Sequence, residues 1–157
     1  MAKKSSAKKA VKERPKKKSP VKKTTVKPAA GKKKKSITKS GDAVMSLAKI
    51  VLEGMLEKKA QNIKMLDLRG IQNRVSDIFL ICEAESTTHV NAIADSVSET
   101  VKKMTGERPF HSEGRENSQW ILLDYVNVVA HVFMKETREF YDIEGLWADA
   151  TITEIDK

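Results

Sequence analysis

Cysteine is nearly absent from this 157-residue chain, and long apolar runs are missing altogether. Its single cysteine, Cys82, excludes an intrachain disulfide and any zinc or iron–sulfur site built from several thiolates. Because Cys82 lies in an apolar run, we predict a small buried side chain rather than a reactive thiol. No apolar stretch approaches the roughly 20 residues that span a bilayer, and the lysine-rich start lacks the apolar segment of a secretory signal. We therefore expect a cytoplasmic protein that does not associate with membranes.

Acidic residues are scarce at one end of the chain only. Residues 1–40 contain seventeen basic residues and one acid, whereas the other 117 contain thirteen basic and twenty acidic residues, giving formal charges of +16 and −7. Residues 1–40 also lack leucine and aromatic side chains, so burial cannot offset their chain entropy. We predict a disordered Lys-rich tail at 1–40, an ordered domain at 41–150 and a C-terminal tail at 151–157.

The tail has two interpretations. It either contacts RNA without sequence specificity, by releasing counterions from phosphates, or it only improves solubility. On the first interpretation, the contacting residues are Lys16, Lys17, Lys18, Lys32, Lys33, Lys34 and Lys35.

Hydrophobic periodicity predicts the order α-β-β-α-β-β-β-α. The run Ser86-Thr87-Thr88 is expected to cap the second helix, and Gly106 to end it. We expect a single α/β (α+β) domain in which helices cover a mixed sheet of about five strands. The predicted helices are 42–59, 87–105 and 136–147, and the predicted strands are 63–68, 77–82, 108–111, 120–124 and 128–134.

Signals for catalysis are weak throughout the sequence. His89, His111 and His131 do not have the spacing of a metal clamp. Glu83 and Glu85 straddle a strand end but lack an evident third partner, and no glycine-rich loop could cradle a phosphate. We predict no enzyme activity, no metal and no cofactor, with a nucleotide-handling enzyme as the alternative that metal and nucleotide binding would reveal.

Aromatic residues are few but concentrated. Six of the eight lie between Trp120 and Trp147. Phe133 and Phe140 carry no polar group, so we expect them in the core. Trp and Tyr side chains are enriched at interface hot spots. Strand alternation leaves open whether Trp120 is core or exposed, because aliphatic residues occupy both faces of its strand. The cluster predicts a binding module of unknown partner.

Several runs in the folded part resemble the signature of the Iojap family of ribosomal silencing factors. The C-terminal runs are WILLDY (120–125), VVAHVF (128–133) and REFYDIEGLW (138–147). Upstream, LDLRG (66–70), SDIFLI (76–81) and HVNAIAD (89–95) match the same family in the same order. The resemblance covers about residues 42–147 and excludes the tail.

The resemblance implies a function without catalysis. Members of this family bind the large-subunit ribosomal protein uL-fourteen and block joining of the small subunit, which represses translation in starvation or stationary phase. It further implies a sheet similar to that of nucleotidyltransferases, and it leaves a homodimer off the ribosome open. A large-subunit assembly factor, or a nucleic-acid-binding protein driven by the Lys-rich tail, is the alternative. By position, the contact role falls on Trp120, Asp124, His131, Arg138, Tyr141, Leu146 and Trp147.

Trp120 is the residue on which the contact role depends most. From the sequence we expect Trp120→Ala to leave folding largely intact and to weaken binding by about 2 kcal/mol or more.

Two departures from the family pattern affect local structure. Val126-Asn127 stands where the family usually has Gly-Asp, and a β-branched residue resists positive φ. We therefore predict that the turn is not a two-residue type I′ turn with Val126 at a central position. Thr88 stands where an Arg is usual, so any contact made by that Arg is absent.

Overall fold

The computed structural model describes residues 41–155. In it, the predicted amphipathic segments form helices and the apolar runs form strands. The Lys-rich tail predicted at 1–40, with all its contact lysines, lies outside the described residues. No helix within 41–155 is both long and apolar enough to cross a membrane. The elements are α1 (Gly41–Glu57), β1 (Gln61–Asp67), β2 (Ile78–Ala84), α2 (Thr87–Thr105), β3 (His111–Glu113), β4 (Trp120–Asp124), β5 (Val128–Met134), α3 (Lys135–Tyr141), α4 (Ile143–Leu146) and β6 (Thr151–Ile155).

Six strands form one sheet in the order β3-β4-β5-β2-β1-β6. The central β2–β5 pair is parallel and the other neighbouring pairs are antiparallel, which confirms the predicted mixed sheet. The additional strand is β6, which pairs with β1 from Ile63↔Ile155 to Asp67↔Thr151. The tail predicted at 151–157 is therefore wrong for Thr151–Ile155. This strand could not be predicted from hydrophobic alternation, because it lies at the edge of the sheet and most of its residues are exposed.

The two central strands are the most deeply buried part of the sheet. Every residue of β2 is buried, and so is every residue of β5 except Met134. Continuous burial of this kind requires cover on both faces of the sheet. Cys82 is fully buried in β2, as predicted, and burial raises the pKa of its thiol to about 12.

Helices α1 and α2 cover one face of the sheet and pack closely against each other. A Cβ atom on Gly54 would lie 2.7 Å from Val97 Cα, so only glycine permits this approach. Ser96 Oγ on α2 donates a hydrogen bond to Glu57 at the end of α1, at 3.1 Å. The helix pair and the sheet enclose the larger hydrophobic core, which includes Val51, Met55, Val90, Ile93, Leu80 and Cys82.

The predicted caps of α2 are confirmed. The Ser86 side chain accepts a hydrogen bond from the backbone N–H of His89, at 3.2 Å. Gly106 ends the helix in the left-handed conformation, with φ 75°. Both signals are local, so sequence alone identified them.

The edge strand β3 lies later in the chain than predicted. It covers His111–Glu113 rather than 108–111, and it pairs antiparallel with β4. Its three residues are all exposed, so no buried alternation was available to fix its position from the sequence.

The turn between β4 and β5 consists of residues 125–127 and holds Val126 at φ 73°. The turn is not of type I′, as predicted, because Asn127 does not share the positive φ that this type requires at both central residues. The reason given for the prediction is wrong, since Val126 does adopt positive φ. Asn127 N donates to Tyr125 O at 2.9 Å, which makes a γ-turn around Val126. Asn127 O in turn accepts from the backbone N–H groups of Asp77 and Ile78, so the loop before β2 holds the turn in place.

Relieving this backbone strain should stabilise the domain. Val126→Gly should raise the free energy of unfolding by about 1 kcal/mol, because a β-branched residue at positive φ costs roughly 1–3 kcal/mol and the added freedom of the unfolded chain offsets part of the gain. Urea unfolding measures the change. Val75→Gly is the matched control, since Val75 is exposed in a nearby loop and has no positive φ; it should be neutral or destabilising. Equal effects of both variants would contradict the strain argument.

Candidate functional site

The second face of the sheet is only partly covered. A smaller core lies here, built from Phe79 and Ile81 of β2, Val129 and Phe133 of β5, and Ile143 of α4. The short helices α3 and α4 supply the cover, and Trp120, Leu122 and Trp147 pack at its margin while remaining half-buried. A partner could therefore reach this face where the helices end.

Trp120 lies between the core and the solvent. Its ring stacks on Phe133 with centroids 4.8 Å apart and contacts the Tyr141 ring at 5.1 Å. Its indole Nε1 donates to His131 Nδ1 at 3.3 Å. The sequence left open whether Trp120 is a core or an interface residue, and both are partly true. One side of the ring packs against Phe133, and the rest of the half-buried side chain is accessible.

Three large side chains on α3 and α4 are exposed, and two of them connect to Trp120 through ring contacts. Phe140 is 81% exposed, Leu146 is 77% exposed and Tyr141 is 52% exposed. The rings of Phe140 and Tyr141 meet edge to face at 5.0 Å, which links Phe140 through Tyr141 to Trp120. We call these four residues, Trp120, Phe140, Tyr141 and Leu146, the aromatic surface. The expectation that Phe140 belongs to the core is wrong.

A break in the last helix explains this exposure. The helix predicted at 136–147 is divided into α3 and α4 by Asp142, whose φ is 40°. The Asp142 carboxylate then accepts from Gly145 N at 3.1 Å and caps α4. Since the chain changes direction at Asp142, Ile143 is buried while Phe140 and Leu146 are left outside.

A buried ionic cluster attaches α3 to the sheet. Arg138 Nη1 lies 3.0 Å from Glu83 Oε2, and Arg138 Nη2 lies 2.6 Å from Glu144 Oε1. Arg138 Nη1 also donates to the carbonyl oxygen of Asn62 at 2.7 Å, and the Asn62 amide donates to Glu83 at 2.5 Å. Arg138 is the third partner that Glu83 lacked in the sequence. With 8% of its side chain exposed, Arg138 is corrected from a contact residue to one that positions α3.

His131 is buried as well, so a direct contact with a partner is corrected in the same way. Burial lowers its pKa to about 4, and the ring is neutral near pH 7. The Phe79 and Phe133 rings lie 4.8 Å and 6.1 Å from the His131 ring. Since Nδ1 accepts from Trp120, the proton of the neutral ring lies on Nε2, which has no hydrogen-bond partner within residues 41–155. The buried His131 ring thus orients the Trp120 indole through this hydrogen bond.

The remaining predicted contact residues are partly accessible. Trp147 is half-buried, with its ring edge to face with Phe79 at 5.8 Å. Asp124 lies at the opposite end of β4 from Trp120, and its Oδ1 accepts from Val126 N at 2.6 Å. Glu113 stands opposite Leu122 in the β3–β4 register. Two carboxylates, Asp124 and Glu113, therefore lie on the same face of the sheet as Trp120.

Groups that could support catalysis are isolated or neutralised by a partner. Hydrogen bonds from Arg69 lower the pKa of Asp67. For Asp77, burial acts to raise the pKa, but hydrogen bonds from Arg74 and Asn127 outweigh it and the pKa is lowered. Within the described part of the chain, no three His, Cys, Asp or Glu side chains are grouped so as to hold a metal ion. The arrangement best suits binding of an apolar surface edged by cations.

Comparisons with known proteins agree with this geometry. A family model described as "Ribosomal silencing factor during starvation" matches residues 41–157. A Bacillus subtilis protein named ribosomal silencing factor RsfS is 37% identical over 111 residues, which cover 71% of this chain and 92% of that protein. A crystal structure of a Chromobacterium violaceum protein, 30% identical, is similar with a TM-score of 0.63 over 67% of this chain and 86% of that one. More distantly, a mouse protein named for mitochondrial assembly of the ribosomal large subunit is 32% identical over 76 residues, 47% of this chain and 33% of that protein.

Proposed function

This chain belongs to the family of ribosomal silencing factors, and from that premise we propose that its aromatic surface binds the large-subunit ribosomal protein uL-fourteen and blocks joining of the small subunit. The bound protein represses translation in starvation or stationary phase. Blocking requires only occupancy and bulk, so no catalytic group is needed.

The observation that carries the proposal is the exposure of Phe140, Tyr141 and Leu146 on α3 and α4, where the Tyr141 ring contacts a fixed Trp120. Large apolar side chains that remain exposed together mark interaction surfaces. Trp and Tyr are also the residues most enriched among binding hot spots. Trp120 is held by Phe133 and His131, so little of its conformational freedom remains to be lost on binding.

Charge supports the choice of a basic protein partner. The 117 residues after the Lys-rich tail have a formal charge of −7, and Asp124 and Glu113 lie on the same face of the sheet as Trp120. A domain of this charge is attracted to a basic ribosomal protein and repelled by the surrounding RNA, which directs it toward the protein. The name of the mouse relative, which refers to assembly of the ribosomal large subunit, agrees with a partner on that subunit.

We assign a supporting role to the Lys-rich tail. With a formal charge of +16 over residues 1–40, it would contact ribosomal RNA without sequence specificity and strengthen binding mainly at low salt. Removing residues 1–40 should weaken association with the large subunit and reduce its salt dependence without abolishing it. If all association disappears, the tail is the main binding segment.

Sedimentation of ribosomal subunits through a sucrose gradient tests the function. Added protein should migrate with the large subunit, and the fraction of joined ribosomes should fall. Phe140→Ala combined with Leu146→Ala should weaken co-migration and restore the fraction of joined ribosomes, because the two exposed contacts are lost while the core is untouched. Val75→Ala combined with Met104→Ala is the matched control, since these side chains are also exposed and apolar but lie outside the aromatic surface.

The outcomes separate the alternatives. Unchanged co-migration of the Phe140/Leu146 variant would exclude the aromatic surface as the contact. Co-migration without loss of joined ribosomes, confined to incomplete large subunits, would favour an assembly factor. Calorimetry with purified uL-fourteen identifies the partner, and absence of binding there would overturn that assignment.

A further inference from the structure

A basic cleft lies on the other side of the domain, where α2 meets β3 and the loop that follows it. Its volume is about 350 Å³, and none of its residues belongs to the aromatic surface. We call it the basic cleft. The residues that line it include Ser98, Glu99, Lys102, Arg108, Ser112 and Arg115.

The cleft concentrates positive charge in a domain that is otherwise acidic. Arg69, Arg74 and Arg138 are each paired with a carboxylate. By contrast, within residues 41–155 neither Lys102 nor Arg108 has a carboxylate within ion-pair distance. The lining holds three cations and one carboxylate, Glu99. Two unpaired cations facing one concave surface favour an anionic ligand.

Arg115 is already held in place for such a ligand. Its Nη1 lies 2.6 Å from Asp95 Oδ1, and its Nε donates to Ser112 Oγ at 3.0 Å. Because Ser112 Oγ accepts this bond, its own hydroxyl hydrogen is available to a ligand. The second Nη group of Arg115 is equally available as a donor. The cleft therefore offers fixed donors as well as charge.

A buried hydroxyl, that of Tyr125, lies close to two residues of the cleft lining, Ser98 and Arg115. Tyr125 packs into the larger core, and its buried Oη makes no hydrogen bond of regular geometry within the described residues. Burial raises the pKa of Tyr125 to about 12, with Ser98 and Arg115 among the polar groups near it.

We propose that the basic cleft binds phosphate groups of an RNA backbone. Its cations come from α2, from the segment before β3 and from the loop after β3, so they are spread along an open cleft rather than gathered around one enclosed anion. Successive phosphates along a strand match that distribution. This contact does not depend on the aromatic surface, so its failure would leave the proposed protein contact untouched.

Binding of a short fluorescein-labelled RNA duplex to the full chain tests the cleft. Lys102→Gln combined with Arg108→Gln should weaken binding about tenfold and reduce the salt slope of the affinity by about 2, since each lost phosphate contact removes close to 1. The matched control is Lys49→Gln with Lys58→Gln, which removes the same charge from exposed residues outside the cleft. Equal losses in the two variants would overturn the proposal, because they would reflect net charge alone.

Chemical-shift mapping locates the contact despite the Lys-rich tail. The same RNA added to the ¹⁵N-labelled full chain should shift the amide signals of Ser98, Lys102 and Ser112. Inorganic phosphate alone should shift them only weakly. Signals that stay unchanged with RNA would overturn the proposal, and so would saturation by inorganic phosphate at micromolar concentration, which would identify a site for a free anion.

Discussion

Arg138→Met should destabilise the domain by about 3–5 kcal/mol, the largest effect on stability that we expect from any single substitution described here. Arg138 compensates two carboxylates, Glu83 and Glu144, and the three side chains are only 8–15% exposed. Removing the guanidinium leaves these charges close together and unpaired. Urea unfolding followed by tryptophan fluorescence measures the loss, and an unchanged slope against urea would show that the transition itself is the same.

Two controls separate the buried cluster from ion pairs in general. Arg69→Met breaks an exposed pair with Asp67, and such pairs contribute about 1 kcal/mol or less. Adding Glu83→Gln to Arg138→Met should recover part of the stability, because one unpaired charge is removed. If Arg69→Met is as destabilising as Arg138→Met, the importance assigned to burial is wrong.

Trp120→Ala should weaken binding to the large subunit by about 2 kcal/mol or more, roughly 30-fold. The structure changes the expectation that folding would be largely intact. Trp120 stacks on Phe133 and donates to His131, so its loss leaves a cavity and an unpaired buried nitrogen. We expect a cost of about 2 kcal/mol in stability, less than for a fully buried aromatic residue. Affinity must therefore be measured well below the unfolding temperature.

Phe133→Leu distinguishes contact from stability. Phe133 is fully buried beneath Trp120, so this variant loses stability without removing an exposed group. It should keep affinity within about threefold of the original protein, whereas Trp120→Ala should not. Comparable losses of affinity in both variants would indicate that Trp120 acts only through folding. Trp120→Phe, which preserves a ring for stacking, should fall between the two.

Local signals predicted much of the fold. The bounds of β4 and β5 agree with the sequence because apolar runs define them, and Ser86 and Gly106 define α2. Contacts between residues far apart in the sequence could not be predicted from local patterns. Strand β6, for example, forms because it pairs with β1. The break at Asp142 had a local signal, an Asp three residues before Gly145, but the helical spacing of Phe140, Ile143 and Trp147 favoured a continuous helix.

The candidate site was predicted in part. Tyr141 and Leu146 are exposed as expected, and Trp120 is accessible on one side. His131 and Arg138 lie in the same family motifs as the exposed residues, yet their side chains are buried. Glu83, the partner of Arg138, lies 55 positions earlier in the chain, and no local pattern reports such a pairing. The motif match therefore predicts the segment, while only the packing separates its exposed side chains from its buried ones.

The burial of Cys82 has a practical consequence for following this protein on its target. The chain has no other cysteine, and this thiol is fully enclosed in β2 with its pKa raised to about 12. Maleimide reagents attack exposed thiolates, so they should leave the native residue unlabelled. One cysteine introduced on an exposed helix position, such as Lys49 in α1, would then carry a single fluorophore without removal of Cys82. Energy transfer from that dye to a labelled large subunit could time arrival and departure one molecule at a time.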